Sequence, residues 1–322
     1  MPLALNANRH YSQWSVAASP SLHLTDKTKP TLMNVIELII LAAVWGASFL
    51  FMRVATPELG PIPLIALRVG IAALVLLPIM RSAVARGQFR AKVGHLLVVG
   101  LTNSAIPFCL LAYSTLSVNA GLDSVLNATT PLWAALIASI GFQVSMGRQQ
   151  IFGMLVGFMG VVVLVRDTLV AGTSGVPLAI GAALVATLFY GFAVNYSKRY
   201  LAGVQPFVVA FGSQFFASIV LVPLALWLWP ARSISVSTWG CVAALGIVCT
   251  GFAYVLFFRL VENVGAAYAA SATFLIPVFG IIWGASFLGE KVTPMMFAGG
   301  AIVLLGTAIT SGKISWRLFQ RA

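Results

Sequence analysis

Ten runs of apolar residues, each separated by a short polar or charged break, dominate the chain. Each run is close to the ~20 mostly apolar residues that a membrane-crossing helix needs. The pattern predicts helices over 34–54, 63–80, 94–116, 121–142, 150–166, 176–196, 206–228, 237–259, 265–288 and 294–311. No period-two alternation of the strand type runs through these segments, so the expected fold class is an all-α integral membrane protein. Residues 1–33 are polar and irregular, and read as a disordered tail, with Met33 as an alternative start to Met1. Residues 312–322 form a second, short tail.

The ten segments fall into two sets of five. The stretch 265–309, with its GEKVTP break, has a fainter copy 146 residues earlier. At that offset Ala120 meets Ala266, Pro131 meets Pro277, Gly153 meets Gly299 and Gly160 meets Gly306. At 145 to 146, Trp45-Gly46 meets Tyr190-Gly191, Arg53 meets Lys198, Arg68 meets Ser213 and Gly100 meets Gly246. The repeats are therefore expected over 34–166 and 176–311. Five is odd, so the second copy enters the membrane in the opposite sense to the first. Inverted repeats of this kind are typical of secondary transporters, which bind their solute between the halves near the midplane. Channels and membrane enzymes duplicate as well, so the geometry alone leaves them open.

Composition agrees with the pattern. The chain is 60% hydrophobic and only 8% charged, with mean hydropathy +0.99. A soluble domain carries about a quarter charged residues. The net charge of +12 would suggest nucleic acid in a soluble protein. Here Lys and Arg sit in the breaks, where they orient helices, and no nucleic-acid partner is expected. Of the 19 Lys and Arg, Arg68 lies inside a segment and Arg53, Arg166, Arg232 and Lys291 fall on one side, which leaves 14 on the side of the N-terminus. That imbalance predicts cytoplasmic N- and C-termini. Cys109, Cys241 and Cys249 all lie in apolar runs without a CxxC spacing, so neither a disulfide framework nor a metal site is indicated. No Walker loop, HExxH or GxSxG is present, so no cofactor is expected, and a lipid-modifying enzyme or a non-transporting partner subunit is the rival from another class.

The landmarks of the second half are Gly251, Tyr254 and Arg259, then Pro277, Gly289-Glu290 and Pro294, then glycines 299, 300 and 306. Those of the first are Trp45-Gly46, Arg68 and the SVLNATTPLW run. In this order they resemble the EamA-type repeat of the drug/metabolite transporter superfamily, over residues 34–311. The resemblance implies a ten-helix fold of two inverted EamA-like repeats in a bacterial inner membrane, carrying or exporting small metabolites, often amino acids or related compounds. Val144 stands where the second copy has Glu290, a departure from the symmetry.

Polar and aromatic residues within the segments are the candidate solute contacts: Trp45, Arg68, Asn103, Asn127, Thr130, Tyr190, Gln214, Tyr254, Thr273 and Trp283. Arg68, about 7 Å deep at 1.5 Å per residue, either snorkels, holds an anionic group or pairs with Asp123. Asp123 reads as a helix-start acid or a proton site, and Glu37 as a first-turn acid. The uncharged groups either line a midplane site or tie helices together, at about 0.6 kcal/mol each. Trp45, Tyr190, Tyr254 and Trp283 would form an aromatic wall for an amphipathic solute. Pro107, Pro131 and Pro277 are candidate hinges, since proline frees the carbonyl four residues earlier. Glu290 is either a hairpin cap or a gate. The glycines of the fifth and tenth segments let helices approach closely, either within the bundle or at a homodimer contact.

Overall fold

The structure, a computed structural model, describes residues 30–170 and 174–314. Most of the expected tail before the first helix and of that after 314 lies outside the described residues. Ten helical spans follow in order: α1 Leu32–Leu59, α2 Pro61–Arg81, α3 Val93–Ser114, α4 Ala120–Phe142, α5 Arg148–Val170, α6 Val176–Tyr200, α7 Pro206–Trp227, α8 Val236–Val264, α9 Ala266–Leu288 and α10 Pro294–Thr310. Among the described residues nine are long and apolar enough to cross a membrane, and α10 is a shorter apolar helix of 17 residues. At 1.5 Å per residue α10 reaches about 25 Å, a deficit that local thinning accommodates.

Local chemistry sets the ends. Thr31 caps α1, Asn119 caps α4, Ser235 caps α8 and Thr293 caps α10, each by accepting from an amide three residues on. Pro61, Pro206 and Pro294 open their helices, where a missing N–H costs nothing. Because α1 starts at Leu32, Glu37 lies in its second turn; it is buried there and pairs with Arg259 at 3.0 Å. The break between α2 and α3, expected as a loop, contains a short amphipathic helix, Ala83–Ala91. Its Phe89 stacks on Phe216 of α7 at 5.6 Å, while Arg86 and Arg90 stay exposed. That is the habit of a helix lying along the membrane surface.

The inverted duplication is written into the packing. A Cβ on Gly46 of α1 would meet Phe279 and Gly280 of α9, and one on Gly191 of α6 would meet Trp133 and Ala134 of α4. Both members of each contact are related by the 145- to 146-residue offset. Gly100 of α3 abuts Ser213 and Phe216 of α7, and Gly246 of α8 abuts Arg68 and Ile71 of α2, again offset mates. Gly153 faces Thr310 while Gly299 faces Leu164, and Gly160 faces Val303 while Gly306 faces Gly157. The glycines of α5 and α10 therefore face each other. In lipid, where the hydrophobic effect does not drive helices together, this close backbone approach supplies the packing.

Four irregularities shape the centre. The middle of α3 (Leu101–Ala105) and the middle of α8 (Ala244–Phe252) are π-helical, at matching places in the two repeats. Helix α4 is interrupted between Asn127 and Thr130, and Pro131 opens its second half. Helix α9 is interrupted between Ala269 and Ala272, while Pro277 lies inside the intact helix that follows. The two breaks are thus not offset mates, although the two prolines are. Pro107 follows the α3 π segment at the start of its last helical stretch.

Candidate functional site

A cavity of about 410 Å³ lies between the repeats, walled by α1, α2, α3, α4, α6, α8 and α9. Its walls are largely built from offset mates. Trp45 and Tyr190, Asn103 and Cys249, Phe108 and Tyr254, Leu111 and Phe257, Asn127 and Thr273, and Thr130 and Ile276 all line it. Phe49 and Val194 add a further pair. The π segments are what turn Asn103, Cys249 and Thr250 to the wall, since each inserts an extra residue per turn.

Eight of the ten expected contact residues meet here: Trp45, Arg68, Asn103, Asn127, Thr130, Tyr190, Tyr254 and Thr273, together with Pro131. Trp45 packs on Phe257 with ring centroids 5.6 Å apart, and Asn103 Nδ2 donates to the Tyr254 hydroxyl at 3.5 Å. Thr130 Oγ1 donates to the Asn127 carbonyl at 2.8 Å, so the carbonyl loosened by Pro131 is taken up locally. The Asn127 Oδ1 atom is buried without a hydrogen-bond partner among the described residues.

Gln214 and Trp283 are placed elsewhere. Gln214 is fully buried behind the wall, where its Nε2 donates to Ser104 Oγ at 2.9 Å. This bond is the counterpart of Arg68 to Thr250, because Ser104 and Thr250 are offset mates and Gln214 lies one residue past the mate of Arg68. Trp283 donates from Nε1 to the Ala43 carbonyl at 3.0 Å and stacks with Phe279, so it fastens α9 to α1. The aromatic wall is accordingly Trp45, Tyr190 and Tyr254 with Phe108 and Phe257, which composition alone did not single out. The signal that could have found them is the repeat offset, since Phe108 is the mate of Tyr254 and Phe257 that of Leu111. Pro107 and Pro277 are buried in helix packing and do not line the cavity.

Arg68 sits seven residues into α2, about 10 Å along its axis. It is 4% exposed, too enclosed to snorkel. Its Nε donates to Thr250 Oγ1 at 2.9 Å, Nη1 points to Met52 Sδ at 3.7 Å, and the guanidinium lies 4.0 Å over the Phe108 ring. It forms no ion pair with Asp123; the ion pair found among the described residues is Arg259 with Glu37. Asp123 is buried beside Ser114 at the start of α4.

The two ends of the cavity differ. The near face is the one carrying the described chain ends, where Lys313 Nζ donates to the Ala267 carbonyl at 2.7 Å. At the far face α4 and α9 are packed together: Gly280 abuts Ser124, Gly121 abuts Ile281 and Met296, and Glu290 accepts from the amides of Ala120 at 2.9 Å and Gly121 at 3.3 Å. Glu290 thus caps a helix of the opposite repeat, not its own hairpin. Arg53 donates to the Thr115 carbonyl nearby. Met52, Arg68, Leu111 and Cys249 close this end and are all buried. At the near face no comparable packing joins the second half of α4 to the start of α9. Val194 and Ala270, on the wall at that end, are exposed.

These features have counterparts in known proteins. The model of the EamA-like transporter family matches residues 33–166 and again 177–312. An uncharacterized transporter of Archaeoglobus fulgidus is 23% identical over 279 residues, covering 86% of this chain and 98% of that one. A protein of Escherichia coli K12 described as a probable amino-acid metabolite efflux pump is 22% identical over 289 residues, covering 87% and 95%. A solved crystal structure shares the fold with a TM-score of 0.60 at 18% identity, covering 87% of this chain and 98% of that one. With both halves matched by one family model and a cavity between them, the chain belongs to the EamA-like transporter family and is a multi-pass membrane transporter.

Proposed function

We propose that the protein moves small amphipathic metabolites, amino acids or related compounds among them, out of the cell by alternating access between its two repeats. The observation that carries this reading is the unequal packing of α4 and α9. The pair is in contact at the far face and apart at the near face, around a cavity built from offset mates. The inverted symmetry supplies the other state. The mates of Gly280 and Ser124 are Ala134 and Ala270, and those of Gly284 and Ala120 are Ala138 and Ala266. Small residues thus stand ready at the near face for the same contact that now seals the far one. A two-state element of this type needs only a small free-energy gap for a solute to tip it.

The Lys and Arg bias supports a near face in the cytoplasm, with the protein in an inner membrane. A cavity open on that side and sealed on the other suits loading for export. The name carried by the Escherichia coli relative points the same way. Flux in proteoliposomes holding only this protein tests the reading, with pooled labelled amino acids, organic acids and amines, with and without a proton gradient. Solute-selective flux is expected, together with a loss of at least ten-fold in Trp45→Ala and Asn127→Ala variants that remain folded. Absence of flux from every pool refutes it, and flux indifferent to both substitutions moves the site away from the cavity.

A further inference from the structure

We infer that the cavity is built for a singly charged organic anion with an apolar body, held by its acidic group at Arg68, in preference to a zwitterion or an amine. The inference rests on the transport reading for its setting, but on the charge of the cavity for its content. Arg68 is a buried cation on an otherwise uncharged wall. It spends Nε on Thr250 and one face on Phe108, and Nη2 has no acceptor among the described residues. No Asp or Glu lines the cavity. The carboxylates nearest in the fold are engaged or enclosed elsewhere: Glu37 with Arg259, Glu290 at the amides of Ala120 and Gly121, and Asp123 behind the wall beside Ser114.

An uncompensated charge inside a membrane protein is costly, and the cost falls when a counter-charge arrives with hydrogen bonds. While the near face is open, the cavity that Arg68 lines has room for water to share that cost. When α4 and α9 close that face, the solute must supply the balance. A carboxylate does so directly, and guanidinium donors suit its planar geometry. A zwitterion brings an ammonium for which the wall offers no carboxylate, only neutral polar groups and aromatic faces such as those of Trp45, Tyr190 and Tyr254. An amine adds a second positive charge to the first.

The test is a binding series on the purified full chain, by ligand-dependent thermal stability, with three solutes of one aromatic body: 3-phenylpropionate, phenylalanine and phenethylamine. A hydrogen-bonded buried charge pair corresponds to roughly a ten- to hundred-fold advantage for the acid. The expected order is acid, then amino acid, then amine. Arg68→Gln should erase the order, and Arg68→Lys should keep most of it. Equal affinities, a preference for the amino acid or amine, no stabilisation by any of the three, or an acid preference that survives Arg68→Gln overturns the inference. If Arg68→Gln fails to fold, the wild-type order and Arg68→Lys decide. Counterflow of the same solutes separates the two readings. Acid binding without flux of any solute removes the transport reading and leaves the anion site. Flux without acid preference does the reverse.

Discussion

Replacing Glu290 by Ala should loosen the far face by an amount the structure allows to be worked out. The first turn of α4 presents three free amides. Asn119 Oδ1 takes that of Leu122 at 2.7 Å, and the two Glu290 oxygens take those of Ala120 and Gly121. Loss of a cap costs about 0.5–2 kcal/mol, and bonds to a charged group stand at the upper end of such ranges. Because this contact is partly exposed, a conservative value of about 1 kcal/mol per amide applies, or about 2 kcal/mol in all. That is roughly a thirty-fold shift toward states in which α4 and α9 part at the far face. Cys249, 1% exposed at the sealed end of the cavity, reports the shift. In a chain with Cys109→Ser and Cys241→Ser, a membrane-impermeant maleimide applied from the far side should label Cys249 roughly thirty-fold faster once Glu290 is Ala. Glu290→Gln, which keeps one oxygen acceptor, should fall between. An unchanged labelling rate in a folded Glu290→Ala protein would falsify the idea that this carboxylate latches the far face.

Three further outcomes follow from the same packing. Val144 is the offset mate of Glu290 and leaves the near-face hairpin after α4 without that carboxylate; Val144→Glu should supply one to the start of α9 and slow near-side labelling of an Ala270→Cys thiol. Gly306 lies against the Gly157 backbone, so Gly306→Leu should separate α5 from α10 and lower thermal stability in detergent by about 1–3 kcal/mol, the usual cost of overpacking, while Gly141→Leu, where a Cβ meets only Ile137 at an ordinary 3.9 Å, should not. Gln143 ends α4 with φ 55°, where its mate Gly289 ends α9 with φ 64°. A left-handed residue other than glycine costs about 1–2 kcal/mol, offset by the entropy glycine loses on folding, so Gln143→Gly should stabilise by about 0.5–1 kcal/mol in the same melt.

The ten spans and their pairing were legible because both depend on simple periodicities. Apolar length marks a span, and a fixed offset marks a repeat. The offset even carried contact information, since Gly46 with Gly280 and Gly191 with Ala134 are one contact written twice. The short helix Ala83–Ala91 was hidden because its arginines disguise an apolar face that the surface of the membrane, not its interior, receives. The placement of Trp283 was hidden for a related reason. A mid-depth indole satisfies its N–H on any carbonyl that reaches it, and only the packing of α9 on α1 brings that of Ala43 within 3.0 Å.

Gln214 shows where the offset itself stops helping. Its neighbour Ser213 is the mate of Arg68, yet Gln214 makes the bond to Ser104 that answers Arg68 to Thr250. A shift of one residue turns a side chain by about 100° on a helix, enough to carry it from the cavity to the interior of the wall. The two repeats therefore share a backbone and differ in charge. One puts a cation on the cavity surface; the other encloses a neutral amide at the same depth. Glu290 and Val144 divide in the same way, a latch on one face and none on the other. An inverted pair with identical halves would favour its two faces equally. Unequal residues at equal positions distinguish the two faces and the two halves of the cavity, and those are the features that the symmetric landmarks of the sequence are least able to disclose.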